Sequence, residues 1–200
     1  MQKNCNFNLA EIKQKVANNA FIQSNIRIKV LPEENPQDSA VLVPIVMHQD
    51  QVSLLFTHRS NSLERHSGQV SFPGGIIEEN DGTVIETALR ETREEIGISS
   101  ENIQIIGQLI PFNTSTGYIV YPVIGVIDTL VKLSRNILEV DRIFCIPLNW
   151  LCNANHSKLE KFVVSDGKAK DVWYFDLYDG ELLWGITAKI TKEFIEIIKK

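Results

Sequence analysis

The sequence predicts an α+β fold in one main domain. Three observations carry this reading: short β-type apolar runs recur along the chain, a capped amphipathic helix sits among them, and a second helix closes the chain. The pattern is not a regular βαβ alternation. At 200 residues the chain exceeds the usual domain of roughly 100–150 residues but is too short for two. Residues 1–37 therefore read as an N-terminal helix and connector, and residues 38–200 as the main domain.

The elements follow in order. Asn8 and Glu11 are spaced as a capping box before a helix with Leu9, Ile12 and Val16 on its apolar side. A connector with Pro32 and Pro36 leads to two strand-like runs, Ala40–Met47 and Val52–Thr57, joined by a polar tip at His48–Gln51. The polar loop Ser60–Ser67 precedes Gly68–Phe72 and the turn Pro73-Gly74-Gly75. Residues Thr83–Ile96 form the clearest helix. Thr83 and Glu86 make a capping box, Ile85, Ala88, Leu89, Thr92 and Ile96 share a face, and Gly97 caps the end. Strands are expected at Ile103–Ile110, Tyr118–Ile127 and Arg142–Pro147. Asp166-Gly167 and Asp179-Gly180 read as hairpin turns flanking Val172–Tyr178. The last helix, Ala188–Lys199, should bury Ile190, Phe194 and Ile197/Ile198.

Composition narrows the function. Hydrophobic residues make up 44% and charged residues 22%, which excludes disordered and collagen-like classes. A net charge of −5 argues against a general nucleic-acid or anionic-membrane binder, while leaving room for a local basic cluster. No apolar run approaches the ~20 residues of a membrane-spanning helix, and the first residues lack the apolar core of a signal peptide. Cys5, Cys145 and Cys152 have no C-x-x-C spacing, and His48, His58 and His156 have no partner at metal-ligand spacing, so zinc is not expected. A cytoplasmic location is expected. A homodimer is left open.

The chemistry concentrates at Arg90-Glu91-Thr92-Arg93-Glu94-Glu95-Ile96-Gly97. At ~100° per residue, Glu91, Glu94 and Glu95 fall within an arc of about 100° and repel one another. Arg90 and Arg93 offset part of this repulsion, and a hard divalent cation would offset more. Such a charge run alone is usually a solvated helix face. Here Gly74-Gly75 precede it, a backbone able to approach a phosphate or a metal.

Gly75 together with Arg90–Ile98 resembles the Nudix box, G-x5-E-x7-R-E-U-x-E-E-x-G-U with U apolar. Gly75 and five intervening residues lead to Asp81 rather than Glu, eight residues then precede Arg90, and Thr92 stands at an apolar position. The R-E-x-x-E-E-x-G core is intact. Leu55-Phe56-Thr57-His58-Arg59-Ser60 and Gly68-Gln69-Val70-Ser71-Phe72-Pro73-Gly74-Gly75 resemble the signature of Nudix enzymes that hydrolyse coenzyme A and its thioesters. That branch tolerates the longer box. It usually carries an Arg where this chain has Glu64, with Arg65 beside it.

The resemblance implies an α/β/α sandwich around a mixed sheet and Mg²⁺- or Mn²⁺-assisted attack of water on a diphosphate. It points to Glu91 and Glu95 as metal ligands, with Glu94 completing the cluster or serving as base, and to Arg90 as orienting a carboxylate. Glu139, expected in a loop before a strand, is the candidate base outside the box. Arg59, Arg65 and His66, flanking Gly74 and Gly75, are candidates for binding the phosphates of a small-molecule substrate. Of Trp173, Tyr174, Phe175 and Trp184, at least half are expected to be core. Three functions follow: a diphosphatase of coenzyme A or acyl-coenzyme A, a Nudix hydrolase of ADP-ribose or another nucleoside diphosphate, or a non-catalytic Nudix-fold ligand sensor.

Overall fold

In a computed structural model, residues 7–19, 37–61, 67–114, 117–128, 131–163 and 169–200 are described. The central pair of strands is parallel: β1 (Gln37–His48) lies beside β7 (Tyr118–Ile127), with Gln37 opposite Tyr118 and Ile45 opposite Val126. Antiparallel strands extend it on both sides. β2 (Gln51–Arg59) joins β1, β8 (Val140–Pro147) joins β2, and β5 (Ile103–Gln108) joins β7. Three short strands complete an eight-stranded mixed sheet: β3 (Val70–Ser71) on β2, β4 (Gly74–Ile76) on β1 and β6 (Phe112–Asn113) on β7. A separate antiparallel pair is made by β9 (Ser157–Val163) and β10 (Ala169–Phe175).

The hairpin between β1 and β2 turns on Gln49 and Asp50, both with positive φ (48° and 60°), as the right-handed twist of a two-residue hairpin requires. Pro44 and Pro122 sit inside central strands, where proline normally costs a ladder hydrogen bond. Each falls in a gap in one neighbour's register. Pro44 lies between the β4-paired residues 39–41 and the β2-paired residues 45–48, and Pro122 between those paired with β6 and with β5.

Among the described residues there are four α-helices: α1 (Leu9–Asn19), α2 (Val84–Ile96), α3 (Leu148–Leu151) and α4 (Gly185–Lys199). Strand side chains alternate between two cores. Ala40, Leu42 and Leu55 join Val84, Ala88 and Ile96 of α2, whereas Val43, Ile45, Leu54 and Phe56 join Ile12 and Val16 of α1 and Ile190, Phe194 and Ile198 of α4. Helices thus cover both faces of the sheet, the three-layer sandwich expected.

Several expectations shift in detail. The strand from Ile103 ends at Gln108: Leu109 still bonds across to Pro122 O, but Pro111, lacking an N–H, follows. The run at Gly68–Phe72 pairs only over Val70–Ser71. β10 ends at Phe175, and Tyr178–Glu181 closes its own turn with Asp179 and Gly180 at positive φ. In α2, Ile85 and Leu89 are only half-buried, while Thr87 and Glu95 are buried. Ile197 is half-buried in α4, whose inward side is Ile190, Phe194 and Ile198. The Asp166-Gly167 turn lies outside the described residues. Among the described residues no helix is long and apolar enough to cross a membrane.

Candidate active site

The acidic helix is held at both ends by its own sequence. Thr83 Oγ1 accepts from Glu86 N at 3.2 Å, and Gly97, at φ 76°, donates its N–H to Arg93 O. The return bond of the capping box goes one residue further out than expected, from Gly82 N to Glu86 Oε2 at 2.7 Å. Glu86 is therefore occupied at the helix start.

The three carboxylates of one helical arc end in three different environments. Glu95 is 2% exposed, Glu91 15% and Glu94 45% by side chain. Arg90 ties most of the loop and helix together. It donates to Asp81 Oδ1 (3.1 Å) and Oδ2 (2.8 Å), Glu91 Oε1 (2.8 Å), Glu94 Oε2 (3.1 Å) and Ile76 O (3.0 Å). Arg90 thus orients box carboxylates, and its guanidinium is held more firmly protonated, chiefly by Asp81. Burial raises the Asp81 carboxyl, but bonds from Arg90, the Glu78 N–H and Thr87 more than reverse this, leaving it below the usual range. Asp81 is thereby committed to the loop. It lies nine residues from Arg90 across a turn, which no sequence periodicity links.

Gly75 is required by the approach of Glu91: a Cβ on Gly75 would lie 2.3 Å from Glu91 Oε1. Gly74 is required by β1, since its Cβ would meet Ala40 O at 2.4 Å. The Gly74-Gly75 strand is thereby clamped between the sheet and the acidic helix. Arg59, at the end of β2, reaches Glu95 Oε1 at 3.4 Å.

The charges of this cluster are unbalanced. Burial pushes the Glu95 carboxyl up to about 8, with Glu91 and Glu139 adding to the rise and Arg59 and the Gly74 N–H opposing it. Glu91 is also raised, by burial first and then by Glu94 and Glu139, against Arg90. Glu139 therefore belongs to the same electrostatic cluster, from the segment just before β8. Glu95 Oε2 is buried without a hydrogen-bond partner, as is Arg59 Nε.

A divalent cation fits this set. The orphaned Glu95 oxygen and the Glu91 carboxylate, which packs where a Gly75 side chain would otherwise stand, present hard oxygen donors. Among the described residues no group of three His, Cys, Asp or Glu side chains is placed to hold a metal ion by itself. Mg²⁺ is commonly held by one or two carboxylates plus water and substrate phosphate, so an open half-site suffices.

Beside Gly74-Gly75 lies a cavity of about 710 Å³. Arg59 borders it at the glycine end. Trp173, Trp184, Lys170 and Lys189 also line it. Of the aromatic run, Phe175 is core, Tyr174 stacks on Trp184 at 5.9 Å, and Phe72 is buried against Phe56. Lys170 and Lys189 carried no signal in sequence, because they lie on β10 and α4, remote from every motif. Arg65 and His66 fall outside the described residues, as does Glu64. His58 is bound by Glu181 at 2.8 Å and His156 by Trp150 O, which gives both a structural partner.

Comparison with known proteins places this geometry. The NUDIX domain family model matches residues 36–133. The Nudix hydrolase NudL of Photorhabdus laumondii, itself uncharacterized, is 37% identical over 166 residues, covering 83% of this chain and 87% of that protein. NudL of Escherichia coli O7:K1 is 38% identical over 160 residues, 80% of this chain and 81% of the relative. Among solved structures, the Nudix hydrolase RenU of M. smegmatis aligns with TM-score 0.55 at 14% identity, over 90% of this chain and 93% of that one. A MutT/nudix family protein from Enterococcus faecalis aligns with TM-score 0.53 at 19% identity, over 97% and 76%. At these identities the structural likeness concerns the fold.

Proposed function

The chain belongs to the Nudix hydrolase family and is a diphosphate-hydrolysing enzyme; we propose that it cleaves coenzyme A, acyl-coenzyme A or both, to 3′,5′-ADP and (acyl-)4′-phosphopantetheine. The observation that carries the substrate reading is the run Leu55–Ser60 and Gly68–Gly75, which resembles the coenzyme A-hydrolysing signature. It is supported by where that run lies: its last glycine, Gly75, lies against Glu91, and its Arg59 reaches Glu95. Residues 38–200 form the catalytic domain on this reading, and residues 1–37 an N-terminal helix and connector.

Mg²⁺ or Mn²⁺, held by Glu91 and Glu95 with Glu94 at the solvent edge, would supply charge neutralisation of the diphosphate and a more acidic attacking water. Arg90 keeps Glu91 and Glu94 in place while itself braced by Asp81. Arg59, with Arg65 and His66 a few residues further along the sequence, meets substrate phosphate. Gly74 and Gly75 let the phosphate chain approach the backbone. Glu139, or Glu94, takes the proton from the attacking water. Glu139 is favoured because its charge already acts on Glu91 and Glu95, the pair that would bind the metal.

Glu64, in place of the branch's Arg, favours a second reading, hydrolysis of ADP-ribose or another nucleoside diphosphate. A hydrolysis panel with Mg²⁺ tests both: coenzyme A, acyl-coenzyme A, dephospho-coenzyme A, ADP-ribose and NADH. Preference for coenzyme A or its thioesters is expected. Turnover of ADP-ribose alone would replace the first reading with the second.

A further inference from the structure

Resting on the reading of the substrate as a coenzyme A-type diphosphate, we propose that the cavity beside Gly74-Gly75 holds its phosphorylated nucleoside half. The base lies against Trp173 and Trp184, and the phosphate remote from the scissile bond is held by Lys170 and Lys189.

The charge distribution is the first argument. The chain carries −5 overall, yet among the described residues the charged ones lining this cavity are Arg59, Lys170 and Lys189 against Asp171. Neither lysine pairs with a described carboxylate; Lys189 Nζ rests 5.3 Å above the Phe112 ring. An acidic protein that gathers lysines without a carboxylate partner around one cavity attracts an anion there. The pantetheine arm and an acyl chain, which carry no charge, would gain nothing from them.

The rings are the second argument. Trp184 is stacked on Tyr174 with planes 10° apart, and Trp173 is backed by Lys192 Nζ at 4.7 Å. Both indoles are half-buried and line the cavity. Rings braced from behind and facing a void offer a stacking surface for a planar base. Geometry supplies the third argument. The cavity begins at Gly74-Gly75 and Arg59, against the carboxylates, so a ligand filling it would have its diphosphate at that end. About 710 Å³ accommodates a nucleoside bisphosphate.

Native tryptophan emission, titrated without metal, tests this in the full-length protein with three probes: adenosine 3′,5′-bisphosphate, 5′-AMP and 4′-phosphopantetheine. The bisphosphate should quench and bind about tenfold tighter than 5′-AMP, the worth of one charge-assisted contact. The Lys170→Gln/Lys189→Gln variant should lose that preference while binding 5′-AMP as before. Trp184→Ala should weaken both nucleotides. Quenching by 4′-phosphopantetheine rather than by nucleotides, or an unchanged preference in the lysine variant, overturns the proposal. Wild-type hydrolysis of coenzyme A and acyl-coenzyme A, measured in parallel, separates the two readings. Turnover with an unchanged preference sinks the cavity assignment alone, and no turnover sinks the substrate reading.

Discussion

The two faces of the sheet are made by the same strands, yet they bury different chemistry. On the face covered by α1 and α4, Val43, Ile45, Leu54 and Phe56 meet Ile190, Phe194 and Ile198 in an apolar core. On the face covered by α2, Leu42 and Leu55 meet Val84 and Ile96, but the same helix also buries Glu95 at 2% exposure beside the half-buried Arg59. An unpaired buried carboxylate oxygen is costly. The first face therefore supplies stability, and the second spends some of it to hold a site ready for positive charge.

The largest effect expected from breaking this contrast is on the apolar face. Phe194→Ala should cost about 3–5 kcal/mol in denaturant unfolding. Metal affinity of the molecules that remain folded should be unchanged. A comparable loss of metal binding would mean the two faces are not separable.

On the other face the outcome should invert. Glu95→Gln and Glu91→Gln are each expected to lower kcat at least ~100-fold, because a metal ligand loses its charge. Metal-free stability should stay equal or rise slightly as repulsion on the helix is relieved. Clear destabilisation with normal activity would show these carboxylates to be structural.

Gly75→Ala sharpens the comparison with a smaller change. The new Cβ would collide with the Glu91 carboxylate, the movable end of a side chain, so the fold should persist while Glu91 is displaced. A fall in kcat of about tenfold with a nearly unchanged melting temperature is expected, as for one misplaced charge contact. Glu139→Gln should lower kcat and flatten the acidic limb of the pH–rate profile with little change in metal affinity. An unaltered profile would return the role of base to Glu94.

The last effect is a pH dependence of the metal-free protein. Glu95 titrates near 4.5 when unfolded and about 8 when folded, so the folded state holds the extra proton between those values. Stability should therefore be fully present below about 4.5 and decline as pH rises towards 8, and Glu95→Gln should abolish that component. Binding Mg²⁺ near pH 7 should release protons, measurable as a buffer-dependent binding enthalpy.

Much of this was legible from residue order alone. The caps of α2 at Thr83 and Gly97, the extent of β7, the Gln49-Asp50 hairpin and the placement of Gly74-Gly75 before an R-E-x-x-E-E run are local patterns, each with a local physical cause. Periodicity also put Glu91, Glu94 and Glu95 on one arc.

It could not rank them. Glu94 and Glu95 are neighbours on one helix turn, yet one is 45% exposed and the other 2%. That difference arises because α2 lies across β1 and β4, which are brought there by pairings distant in sequence. The bidentate grip of Arg90 on Asp81, the reach of Arg59 to Glu95 and the presence of Lys170 and Lys189 around one cavity have the same origin. Residue order by itself determined the elements, their caps and the acidic motif, since those depend on contacts a few positions apart. Only the tertiary structure decided which carboxylate is stripped of water and which cations line one cavity, because desolvation and convergence depend on neighbours that the chain supplies from far away.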